Sequence, residues 1–263
     1  MVAKRAIIEE PVIAMDEDGE PEPKRAWWRV ALRWVLEFLL YLAIAVLIVT
    51  LSRLFLVQPF RVPSESMEHT LVKGDTIVVW KPSDPVRGQI VVFRDDQEWL
   101  APNNDPVPEW KLLLSSLKIL PPQDEQYLVK RLIGLPGDHV VCCDDNGKVM
   151  VNSQPLDEDD YVFNSSPAYE PPTFDIVVPE GRFFVLGDHR DRSSDSRYHM
   201  CVGLEQAPPG AAFPTIDSIQ GRTFAIVSPV SRMTTFKIPE TFDTIPDPTT
   251  SPPSPETQQW DCI

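Results

Sequence analysis

The sequence predicts a mainly β protein, in which an antiparallel β-sheet domain follows a single transmembrane helix. Two observations predict this class. Residues 34–52 form an apolar run whose only charge is Glu37, and a helix needs about 20 such residues to cross a bilayer. The chain beyond it carries short segments rich in Val, Ile and Phe that Gly, Pro and Asp separate, which is typical of antiparallel strands.

The apolar run is predicted to belong to a permanent anchor, residues 34–56. The polar segment before it is too long for a signal peptide, and no small-x-small site closely follows it. Basic residues favour the N-terminal flank, so residues 1–33, an acidic tail and a basic flank, are expected in the cytoplasm. We therefore expect a single-pass protein of the cell membrane, with everything beyond the anchor outside. The flanking basic residues are Lys24, Arg25, Arg29 and Arg33 before the apolar run, and Arg53, Arg61 and Lys73 after it.

Residues 57–236 are predicted to form the extracytoplasmic β domain. Its expected strands are the segments 75–80, 89–94, 127–133, 139–143, 148–152, 174–178, 182–186 and 223–227. Asn146 and Gly147 lie between two of these segments and predict a hairpin turn. Residues 110–120 predict a helix that either belongs to the core or lies on the bilayer. The Pro-rich residues 237–263 predict a disordered tail.

The composition excludes some classes of function. The chain has 24 Lys+Arg and 39 Asp+Glu, a formal net charge of −15, so it lacks the positive footprint of a nucleic-acid-binding protein. Its four cysteines form no metal-binding pattern, and we expect neither a metal nor an organic cofactor. Two interpretations of the adjacent Cys142 and Cys143 stay open: one of them pairs with Cys201, or both are half-buried thiols.

A candidate nucleophile lies just after the anchor. Residues 59–71 place two hydroxyls, Ser64 and Ser66, beside a proline at the predicted membrane surface. A serine nucleophile needs a base, and Lys130 lies among Leu and Val side chains that would shield it from water and lower its pKa. Such a Ser-Lys pair needs no histidine.

Other serine-hydrolase patterns are weaker. The GxSxG elbow is absent. The four histidines leave a Ser-His-Asp triad formally possible, but their spacing does not favour it. Residues 115–118 match the S-x-x-K of penicillin-binding enzymes, yet the partner motifs of those enzymes are missing.

Four blocks of the sequence resemble the type I signal peptidases, membrane-bound serine proteases that remove signal peptides from exported proteins. The blocks are PSESMEHTL (63–71), RGQIVVFR (87–94), KRLIGLPGD (130–138) and GDHRDRSSDSR (187–197), in the order and spacing of that family. With the anchor, the resemblance covers residues 34–230. It implies that the β domain is catalytic and that its second β subdomain, at residues 139–181, is a small insertion.

The resemblance implies a role for each matching residue. Ser66 matches the nucleophile and Lys130 the general base. The Ser64 hydroxyl and the Ser66 backbone N–H match the oxyanion hole. The residues that match the family's support of the lysine are Ser193, which orients it, and the ion pair of Asp195 and Arg197. The residues that match the shallow pockets for small P1 and P3 side chains are Phe60, Val62, Met67, Leu71, Leu128 and Val129.

The implied activity is cleavage of translocated preproteins after small-x-small sites, typically Ala-X-Ala, through an acyl-enzyme. The implied partners are signal-peptide-bearing preproteins and the lipid bilayer, with the secretion translocon as a further candidate and no nucleic acid. LexA-like Ser-Lys autoproteases share the catalytic core, but the anchor and the fourth block argue against them. The alternative from another class is a catalytically inactive, membrane-anchored β domain that binds exported proteins.

Three positions depart from the family pattern. His69 stands where a proline is usual, His189 where an asparagine is usual, and Leu128 where some members have tyrosine. None of them removes a catalytic group. They are therefore expected to affect the shape of the S1 pocket more than the reaction.

Overall fold

The structure is a computed structural model that describes residues 27–101, 108–110, 115, 126–164, 166, 169–170, 172–202 and 205–255. The chain divides into two units, Met1–Val49 and Thr50–Ile263, and each is described by itself. Most of residues 110–120 lie outside the described residues, so the helix expected there stays a prediction.

An apolar helix, α1 (Trp27–Phe55), makes up the described part of the first unit and ends in the second. Its residues Trp27–Arg53 are long and apolar enough to cross a membrane. The helix begins at Trp27, before the predicted anchor, so it also includes the last part of the basic flank. Within that flank Arg33 pairs with Glu37 one turn later, at 2.9 Å between Nε and Oε1.

The second unit is built from antiparallel strands. Its described strands are β1 (Val57–Arg61), β2 (Thr76–Trp80), β3 (Ile90–Arg94), β4 (Tyr127–Gly134), β5 (His139–Cys142), β6 (Met150–Val151), β7 (Gln154–Pro155), β8 (Phe174–Val177), β9 (Phe184–Leu186), β10 (Cys201–Val202), β11 (Glu205–Gln206), β12 (Ile219–Ser228) and β13 (Thr234–Thr235). The main sheet has the order β1-β2-β12-β3-β4-β9, with β13 paired to β12. Each of the eight predicted segments overlaps a described strand, which confirms the mainly β class.

Strand β1 was not among the predicted strands. It contains Pro59, whose missing N–H is tolerated because β1 lies at the edge of the sheet and pairs only with β2 on its described path. Strand β1 leads directly into the turn that carries Ser66.

A smaller sheet, with the order β7-β6-β5-β8, lies within residues 139–181. Strands β5 and β6 form the predicted hairpin, in which Val141 faces Met150, and Gly147 adopts the positive φ, +78°, that such a turn requires. The structure joins Cys142 to Cys143 by a disulfide, and Cys201 is disulfide-bonded as well. This Cys142–Cys143 disulfide differs from both interpretations offered above, in which one of the two pairs with Cys201 or both are thiols.

The Pro-rich C-terminal segment differs from its prediction. Residues 237–255 pack on the domain, with Phe242 and Ile245 in the same core cluster as the small sheet. The backbone N–H of Glu180 donates to the carbonyl of Pro253 at 3.0 Å. The prediction of a disordered tail is therefore wrong for residues 237–255, because regularly placed apolar side chains outweigh the composition. Residues 256–263 lie outside the described part of the chain.

Candidate active site

Ser66 lies in a tight turn between β1 and β2. The backbone N–H of Leu71 donates to the carbonyl of Met67 at 2.7 Å, and the N–H of Glu68 donates to that of Glu65 at 2.9 Å. The side chains of Met67 and Leu71 are fully buried. These two apolar anchors fix the turn to the core, so the position of Ser66 is set by the packing beneath it.

Lys130 reaches Ser66 from the middle of β4, where it pairs with Val91 of β3. Its side chain is 3% exposed, and its Nζ donates a hydrogen bond to Ser66 Oγ. The structure thus brings together the serine and the lysine that the sequence predicted as a pair, although 64 residues separate them in the chain.

Burial lowers the pKa of Lys130 from 10.5 to about 8, because loss of water penalises the ammonium more than the amine. The carboxylates of Asp195 and Asp188 oppose this shift, and the guanidinium of Arg197 adds to it. At pH 7 about a tenth of the lysine is therefore neutral and able to accept a proton.

Ser64 lies next to Ser66, and its part in an oxyanion hole stays a prediction. Its Oγ is 3.3 Å from Ser66 Oγ, and its side chain is exposed. This is a hydrogen-bond contact in which either hydroxyl is able to donate.

The ion pair of Asp195 and Arg197 is buried beside the dyad. Arg197 donates from Nε to Asp195 Oδ1 at 2.8 Å and from Nη2 to Oδ2 at 2.7 Å. The backbone N–H of Gly187 donates to the same carboxylate at 2.9 Å. Although burial opposes it, the Arg197 charge and these hydrogen bonds hold the pKa of Asp195 below its usual value. The carboxylate stays charged and fixes the loop that follows β9.

Ser193 is buried in that loop. A Cβ placed on Gly187 would overlap Ser193 Oγ and lie 2.5 Å from the carbonyl oxygen of Ser66, so only a glycine lets the loop approach the turn this closely. Within the described residues the Ser193 hydroxyl makes no hydrogen bond to Lys130. Its role in orienting the lysine stays a prediction.

Five of the six predicted pocket residues belong to one apolar cluster; they are Phe60, Val62, Met67, Leu71 and Val129. Leu128 does not join them. It packs with Phe93 and Leu132 in a different cluster, because neighbouring residues of a strand point to opposite faces.

A buried ionic frame, made of the pairs Arg131–Asp188 and Arg190–Glu158, lies around the site and was not predicted from the sequence. Arg131 donates to Asp188 from Nε at 2.8 Å and from Nη2 at 2.6 Å, and both side chains are buried. Thr70 Oγ1 donates to Asp188 Oδ2 at 2.6 Å. Next to this pair, Arg190 donates to Glu158 from both Nη atoms. The one available signal was that three of these charges stand inside the matching blocks 130–138 and 187–197.

No group of three or more His, Cys, Asp or Glu side chains is arranged to hold a metal ion within the described ranges. The site brings the buried Lys130 amine into hydrogen-bond contact with the Ser66 hydroxyl. A neutral amine in such a position is able to act as the base for a serine hydroxyl.

Comparison with known proteins gives consistent matches. The model of the family "Signal peptidase, peptidase S26" matches residues 35–228. The chain is 35% identical to a signal peptidase I of Mycobacterium tuberculosis over 83% of this chain and 82% of that protein. It is 32% identical to a probable signal peptidase I of Mycobacterium leprae over 81% and 80%. A crystal structure of a signal peptidase I from Enterococcus faecalis is 28% identical, with a TM-score of 0.33, over 53% of this chain and 97% of that one.

Proposed function

Because the chain belongs to the signal peptidase family S26 and is a signal peptidase I, a serine endopeptidase, we propose that it removes signal peptides from preproteins with a Ser66–Lys130 dyad. The observation that carries this proposal is the hydrogen bond from the buried Lys130 amine to Ser66 Oγ. No other group is needed to activate the serine.

The mechanism follows from the positions of the two side chains. Neutral Lys130 takes the Ser66 proton as Oγ attacks the scissile carbonyl, and the oxyanion is stabilised by the Ser64 hydroxyl and the Ser66 backbone N–H. The lysinium then protonates the leaving amine. A water molecule, deprotonated by the same amine, hydrolyses the acyl-enzyme and frees Ser66.

The proposed specificity is supported by the packing beneath the turn. Met67 and Leu71 are fully buried, so they form a filled apolar floor that leaves little depth for a substrate side chain. Such a surface accepts alanine and excludes large residues on steric grounds. This supports cleavage after small-x-small sites.

We assign α1 as a membrane anchor with the N-terminus in the cytoplasm. Its length and hydropathy fit a single span, and the basic residues before it outnumber those after it. The catalytic domain then faces outward, where a translocated preprotein presents its cleavage site close to the bilayer, and contact with the secretion translocon is a further proposed interaction.

The pH dependence of cleavage should report the Lys130 amine. Because its pKa is lowered to about 8 and only the amine is a base, we expect kcat/KM to rise about tenfold per pH unit below pH 8 and to level off above it. The measurement is kcat/KM from pH 5 to pH 10, with folding checked at each pH. A rate that does not change over this range would exclude a lysine base.

The decisive experiment incubates the full chain, in detergent with lipid, with a preprotein that has an Ala-X-Ala site. We expect one cut after the final alanine of this site, identified by mass spectrometry. A preprotein in which tryptophan replaces that alanine should not be cut. In sealed inverted membrane vesicles, preprotein added outside should stay intact until detergent opens them, because the catalytic domain faces the lumen.

Two serine variants give the matched controls. Ser66→Ala should produce no cut, whereas Ser115→Ala, which alters the S-x-x-K match, should cleave normally. Cleavage that survives in Ser66→Ala would show that another residue is the nucleophile. A folded wild-type protein that never cuts would favour the inactive binding domain, and cleavage in the sealed inverted vesicles would reverse the assigned orientation.

A further inference from the structure

The ring of Tyr161 packs against the buried guanidinium of Arg131. Tyr161 stands in the segment between β7 and β8, outside the four matching blocks, and it is buried. The Cζ atom of Arg131 lies over the ring, 4.1 Å from its centroid. A guanidinium is attracted by the face of an aromatic ring, and the attraction is stronger where water is excluded. The Tyr161 ring therefore stabilises the positive charge of Arg131 inside the domain.

Hydrogen bonds hold the edge of the same guanidinium. Arg131 donates to the Asp188 carboxylate from Nε and Nη2, and from Nη1 to the carbonyl oxygen of Gly88 at 2.9 Å. The donors of a guanidinium lie in its plane, so these bonds fix the position of the edge and leave the group able to tilt. The Tyr161 ring lies against its face and is the contact that opposes such a tilt.

Tyr161 is itself held by two contacts. Its hydroxyl donates to Glu158 Oε1 at 3.0 Å. Burial and the nearby Glu158 charge raise the pKa of Tyr161 well above its usual value, so the hydroxyl keeps the proton that it donates. The ring of Phe242, from the C-terminal segment, lies 6.2 Å from the Tyr161 ring between centroids, and Phe242 also packs against Gly88. The packing around Tyr161 therefore sets the position of its ring.

Asp188 connects Arg131 to the turn that carries Ser66. Asp188 Oδ2 accepts a hydrogen bond from Thr70 Oγ1 at 2.6 Å, and the Asp188 backbone N–H donates to Met67 Sδ at 3.4 Å. The backbone N–H of Thr70 in turn donates to the carbonyl of Met67 at 3.1 Å. Met67 directly follows Ser66 in the chain. A tilt of the Arg131 guanidinium would therefore displace Asp188 and, with it, the residues just after the nucleophile.

We propose that Tyr161 is a positioning residue whose ring fixes the Arg131–Asp188 pair and, through this pair, the direction in which Ser66 Oγ attacks. The proposal rests on the proposed role of Ser66 as the nucleophile. Because Tyr161 acts through Arg131, it affects the rate of the chemical step more than substrate binding. It also gives the small insertion at residues 139–181 a part in catalysis, since Tyr161 and Glu158 belong to that insertion.

The contact between Arg131 and Tyr161 can be observed without any activity assay. Protons held over the face of an aromatic ring are shifted upfield by its ring current. We would record 1H–15N spectra of the full chain in detergent at pH 6 and assign the Arg131 side chain through its own backbone signals. Its N–H signals should move downfield in Tyr161→Leu and stay near their wild-type positions in Tyr161→Phe. Signals that do not move in Tyr161→Leu would overturn the proposal.

The kinetic test compares two substitutions of Tyr161. Tyr161→Leu removes the ring, and we expect kcat to fall about tenfold with KM changed by less than about twofold, because misplaced reacting groups reduce the rate of chemistry. Tyr161→Phe should stay within about twofold of the wild-type kcat, because a phenyl ring also attracts a cation. An unchanged kcat in Tyr161→Leu, or an equal loss in Tyr161→Phe, would overturn the role of the ring.

The matched control is Phe174→Leu. Phe174 belongs to the same core cluster as Tyr161, and its ring contacts that of Phe184 at 5.3 Å between centroids. The control therefore loses a comparable aromatic side chain from the small sheet. With each variant assayed well below its melting temperature, Phe174→Leu should keep the wild-type kcat. A fall equal to that of Tyr161→Leu would show that any loss of core packing reduces activity, which would contradict a specific role for Tyr161.

The two levels of inference fail differently. A wild-type protein without cleavage activity would contradict the proposed function, while the Arg131 signals would still test the contact with Tyr161. If Tyr161→Leu does not fold, Tyr161→Met replaces it, because methionine also lacks a ring and its longer side chain fills more of the space. A fall in kcat of about tenfold then supports the positioning role, and an unchanged kcat contradicts it.

Discussion

Replacing Lys130 by methionine is expected to abolish cleavage and, at pH 7, to stabilise the fold. Methionine fills a similar volume in the buried position of Lys130 but has no amine, so nothing accepts the Ser66 proton. We expect kcat/KM to fall by at least about 10³-fold, within the range that a general base contributes. The measurement is kcat/KM with an Ala-X-Ala substrate at pH 8.

The stabilisation follows from the lowered pKa. A shift from 10.5 to about 8 means that burial of the charged amine costs ~3 kcal/mol of folding free energy. The unfolded chain binds the proton more tightly, so this cost is complete below pH 8 and disappears as the pH rises toward 10.5. Lys130→Met should therefore exceed the wild type in unfolding free energy at pH 7, and the difference should shrink at pH 10.5, as denaturant titrations would show.

Lys81→Met is the matched control. Lys81 is a partly buried lysine whose pKa is also lowered by desolvation, and it lies outside the proposed site, so its variant should cleave normally. A Lys130→Met protein that cleaves at the wild-type rate would exclude Lys130 as the base. If Lys130→Met is inactive and also less stable than the wild type at pH 7, the loss of activity would be explained by a damaged fold.

The dyad could be predicted from sequence because its chemistry is local. Ser66 stands beside a second hydroxyl, and Lys130 stands in an apolar strand, so each residue carries its own signal of an unusual environment. The partners in the ionic frame carry no such signal. Arg131 and Asp188 look like ordinary surface charges, and their burial depends on a pairing across 57 residues that only the fold reveals.

The same limit applies to the C-terminal segment and to Leu128. Proline content alone suggested disorder after Lys237, but Phe242 packs over Gly88, where an added Cβ would lie 2.5 Å from the Phe242 ring. A contact between residues so far apart in the chain is not visible in composition. Leu128 matched a pocket position by alignment of blocks, whereas the pleat of β4 places it in the opposite cluster from Val129.

The second large effect is expected for Asp188→Asn. The introduced amide would keep the shape of the side chain but leave the Arg131 guanidinium, 3% exposed, without its counter-charge. Removing one partner of a buried ion pair costs about 3–5 kcal/mol, so the melting temperature should fall by roughly 10 °C for a domain of this size. The double variant Arg131→Met with Asp188→Leu should recover much of this loss, because it leaves no unpaired charge.

Asp188→Asn should also change the pH profile, which separates a role in the site from a role in folding alone. The Asp188 carboxylate raises the pKa of Lys130, so its neutralisation should move the acidic limb of kcat/KM to lower pH. The matched control is Asp138→Asn, which breaks the pair with Arg87, 2.6 Å away, and should lower stability without moving the limb. If neither variant shifts the acidic limb of the kcat/KM profile, the Asp188 charge does not influence the pKa of Lys130. The buried ionic frame would then only stabilise the fold.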